Sequence, residues 1–183
     1  MNKIKVLVLG AGGSASTNYV RSLRMAGDFH IIGVDCNKFY LQRAETDEKY
    51  LIPKADSPDY IHVLNAIIKA TGAEFLHAQN DTEVGVLSEN RDKLNIKTFL
   101  PCDPVVKICQ DKWISRQYWE KSGIEHPRTR LINNSLELER AFLEFKGPVW
   151  IRDIKGAGGK GALKTHFLKE AEDWFMFNQG WGH

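Results

Sequence analysis

A glycine-rich, cationic loop is the part of this sequence best suited to bind a charged ligand. An apolar run that contains Arg152 is followed by the loop residues Lys155, Gly156, Gly158, Gly159, Lys160 and Gly161. Glycines allow successive main-chain N–H groups to face one anion, while the cations supply charge that peptide dipoles lack. We predict that this loop binds a polyphosphate. A mobile surface hairpin with solvated lysines is the alternative interpretation.

This loop is not a Walker A loop. Ala162 and Leu163 follow Gly161, where that motif requires Lys and then Ser or Thr.

A second glycine-rich turn lies near the N-terminus. Gly10, Gly12 and Ala15, with Gly13 between them, fit the looser G-x-G-x-x-A form of the dinucleotide fingerprint. Asp35 ends the next apolar run, where a ribose-binding acid would lie. Taken alone, this pattern favours a nicotinamide cofactor. A purely structural turn, which any doubly wound sheet needs after its first strand, explains the same glycines.

Polar residues also follow the apolar run at residues 74–77. Asn80 and Glu83 belong to this segment and could line a substrate cleft, because open α/β sheets present ligand-binding groups at their strand ends. A solvated loop in which Asp81 or Thr82 caps the next helix explains the segment equally well.

Two motifs in the second half of the chain occur in a characteristic order. Asp111-Lys112-Trp113 opens a helical pattern that leads to Gly123-Ile124-Glu125-His126-Pro127-Arg128-Thr129, and residues 148–161 contain a Pro, a basic residue and the glycine-rich loop. These motifs and their separation resemble the ATP-grasp superfamily, most closely the carbamoyl-phosphate synthase large chain and more distantly biotin carboxylase. The resemblance covers essentially the whole chain, although before Asp111 it is mostly architectural.

The resemblance implies roles for individual residues. Lys112 would approach the ATP phosphates, Arg152 would contact the nucleotide near its α-phosphate or adenine, and the loop from Lys155 to Gly161 would close over the β- and γ-phosphates. The N-terminal domain of this superfamily usually helps to bind the carboxylate or another substrate and holds no NAD. The candidate substrate-binding or anion-binding residues are then Gly10, Gly12, Gly13, Asp35, Asn80 and Glu83.

The implied reaction is ligation driven by ATP. A small carboxylate or bicarbonate attacks the γ-phosphate to give an acyl phosphate, which an amine or another nucleophile captures. Mg²⁺ would bridge the phosphates. The family's metal ligands and the rest of its active site lie further along the chain, so we expect these 183 residues to be inactive alone. The missing C-terminal half of the ATP-grasp fold is then an expected partner.

Two other functions remain open from the residues themselves. An NAD-dependent oxidoreductase would explain the first glycine turn and Asp35 but leaves the cationic loop without a role. A non-catalytic module that binds a small anion would need only the N-terminal domain.

The elements that position these residues alternate between strands and helices. Apolar runs predict strands at residues 4–9, 30–34, 50–52, 74–77 and 98–100, and helical patterns lie after the first turn, from Pro58, at 83–90 and at 104–109. This alternation predicts an α/β fold with a Rossmann-like parallel sheet covered on both faces. We assign residues 1–109 to this pre-ATP-grasp domain.

Residues 110–183 then form an incomplete N-terminal subdomain of the ATP-grasp fold. Helices are expected at 112–121, 136–145 and 169–177, and strands at 129–132, 149–154 and 162–164. Such a fragment would expose apolar surface from Trp150, Phe167, Trp174, Phe175 and Phe177, which could support a homo-oligomer.

Composition is that of a globular protein without a nucleic-acid partner. The net charge is +2 and charged residues make up 26% of the chain, so no broad basic surface for nucleic acid is indicated. No apolar run approaches the length of a membrane helix, and we expect a cytoplasmic location. The three cysteines are widely spaced and indicate neither disulfides nor a zinc site, and we assign no metal ligand to the chain.

Overall fold

The computed structural model describes residues 3–181, and the two residues at each end lie outside it. The chain divides into two compact units, Met1–Val106 and Lys107–His183. Among the described residues, no helix is both long enough and apolar enough to cross a membrane.

The first unit contains a parallel sheet of five strands. Its strands are β1 (Ile4–Val8), β2 (Phe29–Asp35), β3 (Glu48–Leu51), β4 (Phe75–His77) and β5 (Lys97–Thr98), in the order β3-β2-β1-β4-β5. Its helices are α1 (Ser14–Ala26), α2 (Lys38–Arg43), α3 (Tyr60–Thr71), α4 (Asp81–Glu89) and the first half of α5 (Asp103–Gln110), with a short 3-10 helix at Arg91–Lys93. The predicted α/β class and Rossmann-like sheet are confirmed.

Both faces of the sheet are buried, as the continuous apolar runs require. Val6, Val8 and Ile31 pack with Val20 and Leu23 of α1 on one face. The other face packs against α3 and α4 in a larger core that includes Leu7, Leu9, Ile32, Val34, Leu64, Leu76 and Leu87. The order reverses between β1 and β4, where the chain turns from one side of the sheet to the other, and ligand crevices of such sheets lie outside this point.

The second unit is built on a two-stranded hairpin. Strands β6 (Val149–Arg152) and β7 (Ala162–Thr165) are antiparallel and enclose the glycine-rich loop. Around them lie α6 (Lys112–Lys121), α7 (Ser135–Phe145) and α8 (Leu168–Phe177). Leu138, Ala171 and Phe175 form the centre of a small core.

Two local expectations were wrong, and one helix was not predicted. Residues 124–133, all of them described, form neither helix nor strand, because β6 and β7 pair only with each other and the predicted strand at 129–132 has no partner. Pro58 lies in a turn, and α3 begins at Tyr60. The stretch after β2 contains a short helix, α2, whose N-cap Asn37 accepts hydrogen bonds from Phe39 and Tyr40.

Candidate functional site

A cavity of about 700 Å³ lies within the second unit. It is bounded by α6, α7, α8, β6 and the irregular segment before α7, and Lys112 and Arg152 are both among its lining residues. The structure therefore brings together two of the cations that the motifs singled out. The glycine-rich loop begins directly after Ile154, which also lines the cavity.

Strand alternation explains the position of Arg152. Val149 is buried and Trp150 is 63% exposed, so the even-numbered residues of β6 point away from the small core. Arg152 pairs across the hairpin with Ala162, whose methyl group is too small to cover the guanidinium. A permanent cation beside an exposed indole suits an anionic ligand with an aromatic base.

Aromatic side chains and further cations form the opposite part of the cavity lining. The guanidinium of Arg116 lies 5.3 Å from the ring centre of Trp113 and pairs with Glu120 at 2.7 Å. Arg128 lies 5.2 Å from the ring centre of Phe145. These contacts fix the positions of both guanidinium groups. The contact with Phe145 leaves the positive charge of Arg128 in the cavity.

Lys112 does not project freely toward the cavity. Its Nζ atom donates hydrogen bonds to the main-chain oxygens of Gly156 at 2.7 Å and Ile154 at 3.2 Å. Its own main-chain N–H donates to Ile154 at 3.1 Å. The first residue of α6 is therefore fastened to the start of the glycine-rich loop.

The loop itself depends on glycine conformations. Gly156, Gly158, Gly159 and Gly161 all have positive φ, from 63° to 111°. A β-carbon at Gly156, Gly158 or Gly159 would meet nothing within 4 Å, whereas one at Gly161 would overlap the carboxylate of Asp153. The loop is anchored at its base and unpacked beyond Gly156, and both of its lysines, Lys155 and Lys160, are exposed.

The first glycine turn of unit 1 is closed by its own neighbours. The Asp35 carboxylate is buried and accepts hydrogen bonds from the N–H groups of Gly12 at 3.2 Å and Asn37 at 2.8 Å. A β-carbon at position 12 would overlap the main-chain carbonyl of Tyr40. These contacts favour the structural interpretation of the turn over a ribose site at Asp35.

Glu83 is buried beside this turn. Its Oε1 accepts a hydrogen bond from the Tyr60 hydroxyl at 3.3 Å, and its Oε2 has no hydrogen-bond partner. A β-carbon at Gly10, which has a φ of 52°, would lie 3.3 Å from Oε2. Burial, and secondarily the charge of Asp35, raise the pKa of Glu83 to about 7, and the Tyr60 hydrogen bond only partly opposes them.

The rest of the polar segment serves the local structure. Asn80 caps α4 by accepting a hydrogen bond from the N–H of Thr82, so the expected cap exists but is Asn80 instead of Asp81 or Thr82. His77 stacks on Tyr19 with ring centres 3.7 Å apart, and burial lowers its pKa.

The sequence analysis assigned no role to several residues beside these sites. Trp113, Arg116 and Arg128 lie within or beside the quoted motifs, which could have pointed to them. Tyr60 contacts Glu83 across 23 residues of sequence, and no local pattern announces that contact.

The fold and a family match together define the class of this protein. The parallel sheet, helical segment and glycine-loop hairpin are shared with the structures described below, and with the family match over residues 6–99 they confirm the predicted N-terminal part of an ATP-grasp superfamily protein.

The family follows from the first unit. Residues 6–99, a little over half of the chain, match the family described as PylC-like, N-terminal domain, and the chain belongs to this family. No curated protein matches the sequence.

Solved structures share the fold at low sequence identity. N5-carboxyaminoimidazole synthetase from Staphylococcus aureus, complexed with ADP, has a TM-score of 0.72 at 15% identity over 97% of this chain and 46% of its own. L-amino acid ligase from Bacillus licheniformis has a TM-score of 0.72 at 10% identity over 98% and 43%.

A third similar structure comes from Hydrogenobacter thermophilus. The biotin carboxylase domain of its 2-oxoglutarate carboxylase, in complex with MgADP, ADP and bicarbonate, has a TM-score of 0.65 at 19% identity over 100% of this chain and 43% of its own. The chain thus spans less than half the length of each of these three structures.

Proposed function

We propose that this chain is the N-terminal portion of an ATP-dependent ligase that activates a carboxylate as an acyl phosphate. The observation that carries the proposal is the cavity in the second unit, which combines an exposed strand cation, an aromatic lining and a glycine-rich hairpin that starts at its edge. The similar structures that contain ADP or MgADP support a nucleotide as the ligand.

In this proposal Arg152 contacts the nucleotide and the glycine-rich loop covers its phosphates. The loop has the required properties, since three of its glycines combine a positive φ with open surroundings and two exposed lysines belong to it. Main-chain N–H groups and lysine ammonium groups both stabilise phosphate oxygens. Closure would also exclude water, which protects an acyl phosphate from hydrolysis.

Residues 1–109 would form the pre-ATP-grasp domain, and residues 110–183 the first subdomain of the ATP-grasp fold. Gly10 and Glu83 remain candidates for contacting the carboxylate or another substrate. The N–H groups of Gly12 and Gly13, the carboxylate of Asp35 and the Oδ1 of Asn80 already have partners within the chain, which makes them weaker candidates.

The substrate class is a small carboxylate. The bicarbonate in the Hydrogenobacter structure makes bicarbonate one option, and chemistry like that of carbamoyl-phosphate synthase is the finer form of the proposal. Capture of the acyl phosphate by an amine would complete the reaction on the second half of the ATP-grasp fold, which we propose as the partner of this chain.

Mg²⁺ would enter with the nucleotide and offset the charge of its phosphates. Within the described residues, no group of three or more His, Cys, Asp or Glu side chains could hold a metal ion. In this proposal the side chains that hold Mg²⁺ lie on the second half of the ATP-grasp fold, and this chain binds the nucleotide and shields it from water.

Nucleotide binding by the 183-residue chain tests the proposal. We expect millimolar Mg-ATP to raise the thermal midpoint, because a ligand that binds only the folded state stabilises it. Arg152→Ala should abolish most of this shift. Arg140→Ala is the matched control, since Arg140 is an exposed arginine of the same unit that does not line the cavity.

A parallel titration with NADH tests the main alternative function, an NAD-dependent oxidoreductase. A shift with NADH and none with Mg-ATP would favour a dinucleotide site at the first glycine turn. An Mg-ATP shift that survives in Arg152→Ala would remove Arg152 from the site.

A further inference from the structure

The most tightly held contact of the glycine-rich loop is at its beginning. Three hydrogen bonds join Lys112 to this point: two from its ammonium group, to Gly156 and Ile154, and one from its main-chain N–H to Ile154. Beyond this point the glycines at 156, 158 and 159 face open space.

We propose that Lys112 is a positioning residue that fixes the hinge of the glycine-rich loop in the ligand-free protein. The hinge lies at Gly156, whose φ of 111° is open only to glycine without strain. The carbonyls of Ile154 and Gly156 lie on either side of the Gly156 α-carbon, so bonding both to one ammonium group sets the direction in which the loop leaves the hairpin.

The acid next to Lys112 in the sequence has a separate role. The neighbouring Asp111 carboxylate accepts a hydrogen bond from the N–H of Ile114 at 2.8 Å and so caps α6. Lys112 is half-buried, and a charged donor strengthens its hydrogen bonds to main-chain carbonyls. An ammonium group has three N–H donors, and the two carbonyls account for two of them.

The hinge role deepens the proposed function but can be tested without a nucleotide. If the loop closes over phosphates, Lys112 sets the path of that closure. A residue whose only role is to contact phosphates would leave the free loop unchanged when it is replaced. The discriminating measurement is therefore made on the ligand-free protein.

Two main-chain amides report on the loop's ends. The N–H of residue 112 donates to Ile154, and the N–H of Asp153 donates to the oxygen of Gly161 at 3.1 Å. In ligand-free Lys112→Met we expect these amides to exchange with solvent about tenfold faster, because local opening of the hinge becomes easier. Amide ¹⁵N relaxation of Lys155 and Gly156 should show larger fast motions.

Conservative and control variants make the result specific. Lys112→Arg, which keeps charged donors, should restore most of the protection. Lys160→Met removes a loop cation that is exposed and should leave both amides unchanged. If Lys112→Met folds poorly, Lys112→Gln, which keeps a donor but no charge, replaces it and should show an intermediate increase.

Unchanged exchange and relaxation in both Lys112→Met and Lys112→Gln would overturn the proposal. Failure of Mg-ATP to bind would instead count against the proposed function and leave the hinge result intact.

Discussion

At the scale of single residues, Glu83 is a buried acid that lacks a full set of hydrogen-bond partners. It is buried in the first turn of α4, one of its oxygens has no hydrogen-bond partner, and its pKa is raised to about 7. The nearby groups include Asp35, Cys36 and Tyr60, and the charge of Glu83 in turn helps to raise the pKa of Cys36, after the effect of burial.

The raised pKa predicts a dependence of stability on pH. Relative to its ordinary value of 4.5, a pKa of about 7 means that the folded state favours the protonated acid. The resulting stabilisation is present below pH about 4.5 and is lost as the pH rises through about 7, with an amplitude of up to about 3 kcal/mol. Chemical denaturation from pH 4 to 8 would measure it.

Glu83→Gln should abolish this loss, so that the variant is more stable than the wild type above pH 7. Glu89→Gln, an exposed glutamate on the same helix, should retain the wild-type profile. Parallel profiles for the wild type and Glu83→Gln would show that Glu83 is not buried as a neutral acid.

At the scale of elements, the short helix α2 closes over the first glycine turn. The main chain of Tyr40 occupies the place that a side chain at position 12 would need, and the Tyr40 Cα would lie 2.7 Å from a β-carbon there. Packing against Tyr40 alone therefore requires glycine at position 12, whether or not a ligand binds this turn.

Gly12→Ala should consequently destabilise the first unit by roughly 2–4 kcal/mol, because backbone must move to admit the methyl group. Gly13→Ala is the control: its φ of −74° suits any residue, and the nearest atom would lie 3.1 Å away. Urea denaturation would compare them, and equal losses for the two variants would contradict the packing argument.

At the scale of the whole molecule, the second unit exposes part of the apolar surface expected of an incomplete subdomain. Trp150, Phe167 and Phe177 are 63%, 64% and 88% exposed. The expectation was wrong for Phe175, which is buried in the small core, and Trp174 is only partly exposed. The core forms because α8 packs on α7 and covers one face of each.

The exposed apolar side chains of the second unit predict that the protein self-associates. Light scattering coupled to size-exclusion chromatography should show a mass that rises with protein concentration. Phe177→Ser should reduce the rise, whereas Met25→Ser, at an equally exposed position of the first unit, should not. A monodisperse monomer at every concentration would refute this prediction.

The sequence by itself determined the features that depend on local patterns. Continuous apolar runs alternating with helical periodicity were enough for the parallel sheet, and the motifs at Asp111 and after Pro148 were enough for the ATP-grasp class. The same local information placed Arg152 on the outward face of its strand, because side chains alternate strictly along β-structure.

Only the tertiary structure decided which partner each group finds. Residues 129–132 are apolar enough for a strand but have no neighbouring strand to pair with. Lys112 bonds to a carbonyl 44 residues away, and Asp35 to an N–H 23 residues away, and no local pattern predicts either contact. Hydrogen bonds and burial depend on the whole fold, and no local pattern records them.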